Sequence, residues 1–142
     1  MGARRKANRR AMRRPKVFIS HTSKDYKRAS RLGALLGANG IDYWFSREHV
    51  VRGQDWYRAI GEALATCNWL VVVATPAAIR NKWVRDEVTY ALITRRYKNR
   101  VIPLLFENCN LDRLAWSLQN KQHIDFRRRW MRASKELVAR IR

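Results

Sequence analysis

The spacing of hydrophobic residues changes repeatedly along the chain between two patterns. Short, continuous apolar runs alternate with stretches in which apolar residues recur every three or four positions. The runs predict strands at residues 16–20, 41–45, 69–74, 100–106 and 122–126. The longer spacing predicts helices at residues 25–40, 55–67, 82–97 and 130–141, with a short helix at 111–118. Gly40 is expected to close the first helix and Asp55 to cap the second.

The alternation of strands and helices is typical of a doubly wound α/β domain. The run Trp69–Ala74 is apolar at every position, as in a parallel strand covered on both faces. We therefore predict a single flavodoxin-like, five-stranded parallel sheet in the order 2-1-3-4-5, with helices on both faces. Pro103 suggests an interruption or a near-edge position in the fourth strand. Ligands should collect beyond the carboxyl ends of the strands, near residues 20–23, 46–54 and 75–81.

The charge of the chain is concentrated at its two ends. The 142 residues hold 31 Lys and Arg against 11 Asp and Glu, a formal charge of +20. Residues 1–16 contain eight bases and no acid, and residues 127–142 contain seven bases and one acid. We expect residues 1–15 to be a disordered basic arm, and residues 16–142 to be one domain ending in a basic helix. Such arms can bind the phosphates of nucleic acid, but the sequence contains no nucleic-acid recognition motif.

Several protein classes do not fit the sequence. No apolar run is long enough to cross a membrane, and no apolar signal region follows the basic N-terminus. Cys67 and Cys109 are far apart and without partner ligands, which favours free thiols in a cytoplasmic, reducing compartment. The three histidines, His21, His49 and His123, lack metal-ligand spacing, so no metal site is expected. Glycine-rich phosphate loops and nucleophile elbows are also missing.

One carboxylate stands out among the acidic residues. Glu87 follows Trp83 by one helical turn, and no base lies three or four positions away on either side. A carboxylate placed between aromatic residues fits a ligand pocket. The alternatives are an ordinary solvated helix glutamate or a carboxylate paired with a distant arginine.

Five segments in order resemble a Toll/interleukin-1 receptor (TIR) domain, and in particular its bacterial, enzymatic branch. The matching segments are the first box at Val17–Asp25, the end of the BB loop at Arg52–Trp56, the third strand at Leu70–Pro76, the W-x-x-x-E signature at Trp83–Glu87 and the fourth-strand motif at Arg100–Pro103. The resemblance covers residues 16–126. Val84 stands where the family often has Cys, and Arg52 where it often has Pro.

The resemblance implies an enzyme that cleaves NAD at the nicotinamide–ribose bond. The products would be nicotinamide and either ADP-ribose or a cyclic isomer, with NAD as substrate and no cofactor. Glu87 would be the catalytic residue, because a carboxylate stabilises the positive charge that develops on the ribose. The residues expected to bind substrate are Ser20, His21, Thr22, Ser23, Gly53, Trp56 and Trp83.

The same resemblance implies partners. Enzymatic relatives complete their pockets by self-association, so we expect TIR–TIR assembly, an activating partner protein and a role in bacterial immune signalling against phage. Three other functions stay open. They are a non-catalytic TIR adaptor, a basic nucleic-acid-binding protein and a nucleoside deoxyribosyltransferase-like enzyme.

Overall fold

The computed structural model describes residues 14–45, 54–120 and 123–142, without the side chains of residues 54–57 and 119–120. The strands are β1 (Lys16–Ser20), β2 (Asp42–Phe45), β3 (Trp69–Ala74), β4 (Val101–Leu105) and β5 (Ile124–Asp125). The helices are α1 (Tyr26–Ala38), α2 (Gln54–Thr66), α3 (Pro76–Ile79), α4 (Lys82–Ile93) and α5 (Trp130–Ile141). Most of the predicted basic arm and all of the loop between β2 and α2 lie outside the described residues.

The five strands form one parallel sheet in the order β2-β1-β3-β4-β5. This confirms the predicted α/β fold class and the predicted strand order. In the centre of the sheet, Ile19 of β1 is opposite Val71 of β3, which is opposite Ile102 of β4. The order of the strands reverses between β1 and β3, and this switch point is where doubly wound folds bind ligands.

Each face of the sheet has its own hydrophobic core. Phe18 and Leu70 point to the face covered by α2 and α4. Ile19 and Val71 point to the opposite face, which α1 and α5 cover. Successive residues of a strand alternate between faces, so strands buried on both sides must be apolar at every position. This is the physical reason for the continuous apolar run of β3.

Gly40 ends α1 as predicted. Its φ is +69°, a left-handed conformation that glycine adopts without steric cost. The Gly40 amide donates to the carbonyl of Gly37, and the Ile41 amide donates to that of Leu36. These two bonds form a Schellman motif, which satisfies the last carbonyls of the helix.

Three helix predictions were wrong in detail. The predicted helix 82–97 ends at Ile93, and Arg95–Tyr97 form a separate 3-10 turn. The turn carries Tyr97 into the core, where its hydroxyl donates to the carbonyl of Leu64 at 2.6 Å. The predicted helix 111–118 is a pair of 3-10 turns, Leu111–Arg113 and Trp116–Asn120. Helix α2 begins at Gln54, so Asp55 lies inside its first turn and is not its cap.

Pro103 does not interrupt β4, but its predicted near-edge position is confirmed, because β4 is the neighbour of the edge strand β5. Pro103 pairs with Val72 inside a continuous strand that has neighbours on both sides. The amide of Phe106 donates to β3, whereas the carbonyl of Leu105 accepts from β5, so alternate residues face opposite neighbours. Pro103 therefore faces the β5 side, where pairing begins only at Leu104. Its missing N–H therefore leaves no bond unmade among the strand residues that the structure describes.

Candidate functional site

Glu87 is a buried carboxylate on the helix that follows β3. Only 5% of the residue is exposed, and it lies in α4 among the buried Val84 and Val88. The hydroxyl of Ser20 donates a hydrogen bond to Glu87 Oε1 at 3.2 Å. A carboxylate is costly to bury unless hydrogen bonds replace its hydration. The interpretation of Glu87 as a solvated helix residue was therefore wrong.

The fold brings Ser20 and Glu87 together at the switch point of the sheet. Ser20 is the last residue of β1, and it pairs in register with Val72 of β3. Helix α4 packs against both of these strands. A carboxylate on α4 can therefore reach the carboxyl end of β1, where ligands of such folds bind.

The start of α4 is fixed by a side-chain cap. The Asn81 side chain accepts a hydrogen bond from the Val84 amide at 3.1 Å. Trp83 lies in this first turn, half-buried, one turn before Glu87. The cap thus fixes the part of the helix that carries both predicted residues.

The polar loop after β1 presents few unengaged groups. The imidazole Nδ1 of His21 is 2.7 Å from the carbonyl oxygen of Thr22, and its ring lies 5.8 Å from that of Phe45. Thr22 is buried and donates its hydroxyl to Asp25 at 2.9 Å. Ser23 is exposed. Of the three hydroxyl groups expected to bind substrate, those of Ser20 and Thr22 thus donate hydrogen bonds to carboxylates of the protein itself.

Asp25 is a second buried carboxylate, which sequence analysis missed. It is 5% exposed and accepts hydrogen bonds from the hydroxyls of Thr22 and Thr75, at 2.9 and 2.8 Å. Arg28 donates to it at 3.0 Å. The sequence signals were the position of Asp25 just before a helix, which predicts a helix start, and its place at the end of the segment Val17–Asp25, which gave it no role of its own. The three donors link the ends of β1 and β3 to α1.

Arg28 extends this network to the loop after β4. It donates to Glu107 at 2.7 Å as well as to Asp25, and its guanidinium lies 5.6 Å from the centre of the Phe106 ring. The hydrogen bond with Glu107, together with the one with Asp25, raises the pKa of Arg28. The network therefore ties three neighbouring strand ends together around the site.

A cleft of about 440 Å³ opens beside this network. It is lined by Thr22, Ser23, Lys24, Pro76, Ala77, Arg80, Asn81 and Glu107. Glu87 and Trp83 do not line it. Gly53 lies outside the described residues, and so does the side chain of Trp56. The structure therefore brings Ser20, His21 and Glu87 to one end of the sheet, and places Ser23 on the neighbouring cleft.

The described part of the chain contains neither a metal-binding cluster nor a membrane-spanning helix. Residues 14–45, 54–120 and 123–142 contain no group of three or more His, Cys, Asp or Glu side chains arranged to hold a metal ion. No helix within this part of the chain combines the length and the apolar character that crossing a membrane requires.

Comparison with known proteins identifies the family. A family profile described as "TIR domain" matches residues 17–140. The TIR domain of the Toll-related receptor TRR-2 from Hydra magnipapillata has a similar fold, with a TM-score of 0.72 at 20% sequence identity. That match covers 88% of this chain and 96% of the other.

Two curated relatives carry names that state an activity. One is the 2' cyclic ADP-D-ribose synthase BtTIR of Bacteroides thetaiotaomicron, 25% identical over 108 residues, or 73% of this chain. The other is the probable 2' cyclic ADP-D-ribose synthase TcpO of Methanobrevibacter olleyae, 23% identical over 92 residues, or 64% of this chain. The matches span only 38% and 27% of the relatives' own lengths.

Proposed function

Because this chain belongs to the TIR domain family, we propose that it cleaves NAD at the bond between nicotinamide and ribose. The observation that carries the proposal is the buried carboxylate of Glu87, which receives the Ser20 hydroxyl at the ligand-binding end of the sheet. An interaction module needs no buried carboxylate there, and burying one reduces stability unless it is compensated. In a reaction whose transition state develops positive charge on the substrate, such a carboxylate stabilises that charge.

The reaction needs one well-placed anion. The bond between C1′ of the ribose and the nicotinamide nitrogen breaks, and its electron pair goes to nicotinamide, which leaves as a neutral molecule. The ribose becomes oxocarbenium-like, and the negative charge of Glu87 stabilises that state. Water then attacks C1′ and loses a proton to give ADP-ribose. Attack by a hydroxyl of the same molecule, again with loss of a proton, gives a cyclic isomer.

The neighbours of Glu87 have separate roles in this proposal. Ser20 orients the carboxylate through its hydrogen bond and is a positioning residue. Trp83, half-buried one turn away, forms a wall of the pocket. The remaining residues proposed to contact the substrate are His21, Thr22, Ser23, Gly53 and Trp56. Contact by Thr22 requires its backbone, since its hydroxyl is engaged with Asp25.

The names of the two relatives support a cyclic product, 2' cyclic ADP-D-ribose. This chain matches only a minor part of each relative, so our proposal for how NAD cleavage is activated concerns the TIR domain and not the relatives' other parts. We propose that TIR–TIR self-association completes the pocket, that a partner protein promotes it, and that the product signals in bacterial immunity inside the cytoplasm.

The test is to incubate purified protein with NAD and to separate the products by reversed-phase chromatography. Reactions at about 1 µM and about 100 µM protein distinguish an activity that depends on assembly. We expect one nicotinamide for each NAD consumed, a matching amount of ADP-ribose or its cyclic isomer, and a higher specific activity at the higher concentration. Absence of nicotinamide at both concentrations would contradict the proposal and favour the adaptor function.

A further inference from the structure

The basic residues of this protein are distributed unequally between the two faces of the sheet. Helix α1 contains three bases and no acid, and the segment 127–142, which includes α5, contains seven bases and one acid. These two helices cover the same face. On the opposite face, α2 contains one base and two acids, and α4 contains two of each. Helices α1 and α5 are therefore strongly positive, whereas helices α2 and α4 are close to neutral. Four further bases, Arg95, Arg96, Lys98 and Arg100, follow α4 on its side of the sheet.

The bases of α5 and the turn before it are exposed. Arg128, Arg129, Arg132 and Lys135 are all exposed, and none of them forms a salt bridge within the part of the chain that the structure describes. On α5, Arg132 and Lys135 follow one another at a spacing of three and so share a face of the helix. Arg128 and Arg129 lie just before the helix and line the same cleft as Arg132, so these four residues are called the basic stripe. The stripe presents unneutralised positive charge to a ligand.

The acids near this stripe reduce its charge only slightly. Asp125 is engaged by Arg127, which donates to both of its carboxylate oxygens at 3.0 and 2.9 Å. These hydrogen bonds lower the pKa of Asp125 to about 2, so the pair stays ionised and neutral in sum at physiological pH. Glu136 is the one acid within α5. A shallow cleft of about 280 Å³ lies between these groups and Arg128, Arg129 and Arg132.

Helix α1 continues the positive surface. Arg31 lies over the ring of Trp130, 3.8 Å from its centre, which joins the two helices. Lys27 is exposed one turn earlier in α1. At the other end, Arg142 donates to the carbonyl of Asn39 at 2.7 Å. The basic surface thus extends along both helices.

The N-terminal arm joins the domain near the same corner. Arg14, where the described part of the chain begins, pairs with Asp42 at 3.9 Å. Asp42 follows closely after Asn39, which contacts Arg142. The thirteen residues before Arg14 contain six bases and no acid.

Phosphodiesters are the ligand chemistry that fits this surface. Eight of the ten bases on α1 and in residues 127–142 are arginine, and the other two are Lys27 and Lys135. The planar arginine fork binds two phosphate oxygens at once, which a lysine ammonium cannot do. A helix of twelve residues is about 18 Å long, which is the span of about five base pairs.

The packing of α5 argues against a membrane surface. A helix that binds a membrane in its plane inserts its apolar side among the lipids. The apolar side of α5, with Leu137 and Ile141, is buried in the core against α1. Met131 is the only large apolar side chain exposed on this helix. Aromatic side chains for stacking on bases are also scarce here, because Trp130 is covered by Arg31.

We propose that the α1/α5 face binds the phosphate backbone of double-stranded nucleic acid without sequence preference. The site is separate from Glu87, since the two lie on opposite faces of the sheet. Binding at this face would therefore gather copies of the domain along one polyanion and leave the Glu87 site accessible.

The experiment is a fluorescence anisotropy titration of the full chain with a fluorescein-labelled 20-base-pair DNA duplex, from 50 to 200 mM salt. The test variant is R128Q/R129Q/R132Q. The control variant is R58Q/K82Q/R85Q, which removes the same charge from exposed positions of α2 and α4. Melting temperatures measured by circular dichroism are used to check that both variants are folded.

The test variant should bind at least tenfold more weakly at 100 mM salt. Its plot of log K against log salt should be shallower by about two to three, since each lost phosphate contact removes about 0.9. The control should stay within threefold of the parent. An equal loss in both variants would overturn the proposal, because the charge of the whole molecule would then be sufficient. Unchanged duplex binding by the test variant, with loss of binding to phosphatidylserine vesicles, would assign the face to membranes and also overturn it.

Discussion

Ser20 and Glu87 lie 67 positions apart in the chain, and the hydroxyl of the first donates to the carboxylate of the second at 3.2 Å. Ser20 is 1% exposed and Glu87 is 5% exposed, so water competes little for this bond. The pair joins the end of β1 to α4 across the switch point of the sheet. If Glu87 stabilises charge on a ribose, Ser20 determines where that carboxylate oxygen lies.

Ser20→Ala should therefore reduce turnover more than substrate binding. Loss of one buried hydrogen bond costs about 1 kcal/mol, and 1.4 kcal/mol is a factor of ten in rate. We expect kcat for NAD cleavage to fall about five- to tenfold, with KM changed less than twofold. Initial rates over a range of NAD concentrations separate the two constants.

The matched control for Ser20→Ala is Ser134→Ala. Ser134 is also buried, and its hydroxyl has no hydrogen-bond partner among the residues that the structure describes. Removing it should leave NAD cleavage unchanged and stabilise the protein by about 0.5 kcal/mol, because alanine favours the helix. An equal loss of turnover in the two variants would show that Ser20 acts through general packing only.

The hydrogen bonds of buried Asp25 should contribute more to stability than the exposed ion pair between Arg28 and Glu107. Asp25→Asn removes the charge of a carboxylate that accepts from Thr22, Thr75 and Arg28. We expect the free energy of unfolding to fall by about 2–3 kcal/mol. Glu107→Gln should cost less than about 1 kcal/mol, because half of the Glu107 side chain is exposed. Urea denaturation measures both, and a larger loss for Glu107→Gln would contradict the assignment.

Close packing against the Tyr43 ring requires glycine at position 33, whereas no such contact requires glycine at position 61. A Cβ on Gly33 would come within 2.6 Å of the Tyr43 ring, but a Cβ on Gly61 would have no described atom within 4 Å outside the backbone of its own helix. Gly61→Ala should stabilise the protein by about 0.5–1 kcal/mol through helix propensity. Gly33→Ala should destabilise it by about 1 kcal/mol through overpacking.

A double-mutant cycle tests the cause of this difference. In a Tyr43→Ala background, Gly33→Ala should become stabilising, like Gly61→Ala, because the ring that it strikes is gone. Chemical denaturation of the four proteins gives the coupling energy. A cost of Gly33→Ala that persists without the ring would exclude Tyr43 as its source.

The thiols of Cys67 and Cys109 should ionise at higher pH than the thiols of exposed cysteines. Burial raises the pKa of Cys67 from its ordinary 9.0 to about 11, and burial also raises that of Cys109. Folding thus favours the neutral thiol of Cys67. Its contribution to stability is complete below pH 9 and is lost as the pH rises from about 9 to about 11.

Thiol labelling checks this assignment. In a Cys109→Ser variant, the disulfide reagent DTNB should react with Cys67 at pH 8 about 100-fold more slowly than in 6 M guanidinium chloride. Comparable rates in the folded and unfolded protein would show that Cys67 is accessible and ionisable.

The sheet could be predicted from the sequence because burial on both faces leaves a pattern that does not depend on distant residues. β3 and α5 have the bounds that the apolar pattern predicts. The end of α4 could not be predicted, since Tyr97 keeps the helical spacing but points into the core toward Leu64. Helix α3 was missed because four residues are too few to show a period.

The candidate site was only partly predictable. Glu87 was identified from its aromatic neighbours and the family signature, but its partner was not, because Ser20 is close to it only in the folded chain. Asp25 was missed for the same reason, since two of its three donors, Thr22 and Arg28, look like ordinary helix-start residues, and the third, Thr75, is 50 positions away. Local sequence carries no sign of such contacts.

In the proposed function, the carboxylate of Glu87 stabilises the transition state of NAD cleavage. The most direct measurement is the rate of nicotinamide release by the parent, by Glu87→Gln and by Asp86→Asn, at equal protein concentration and with folding checked by circular dichroism. Asp86 is the control because it is the exposed acid next to Glu87 on the same helix. We expect a loss of at least about 100-fold for Glu87→Gln, because a charge that stabilises the transition state is removed, and a change of less than twofold for Asp86→Asn. Equal nicotinamide release by folded Glu87→Gln and parent protein would contradict this role of Glu87.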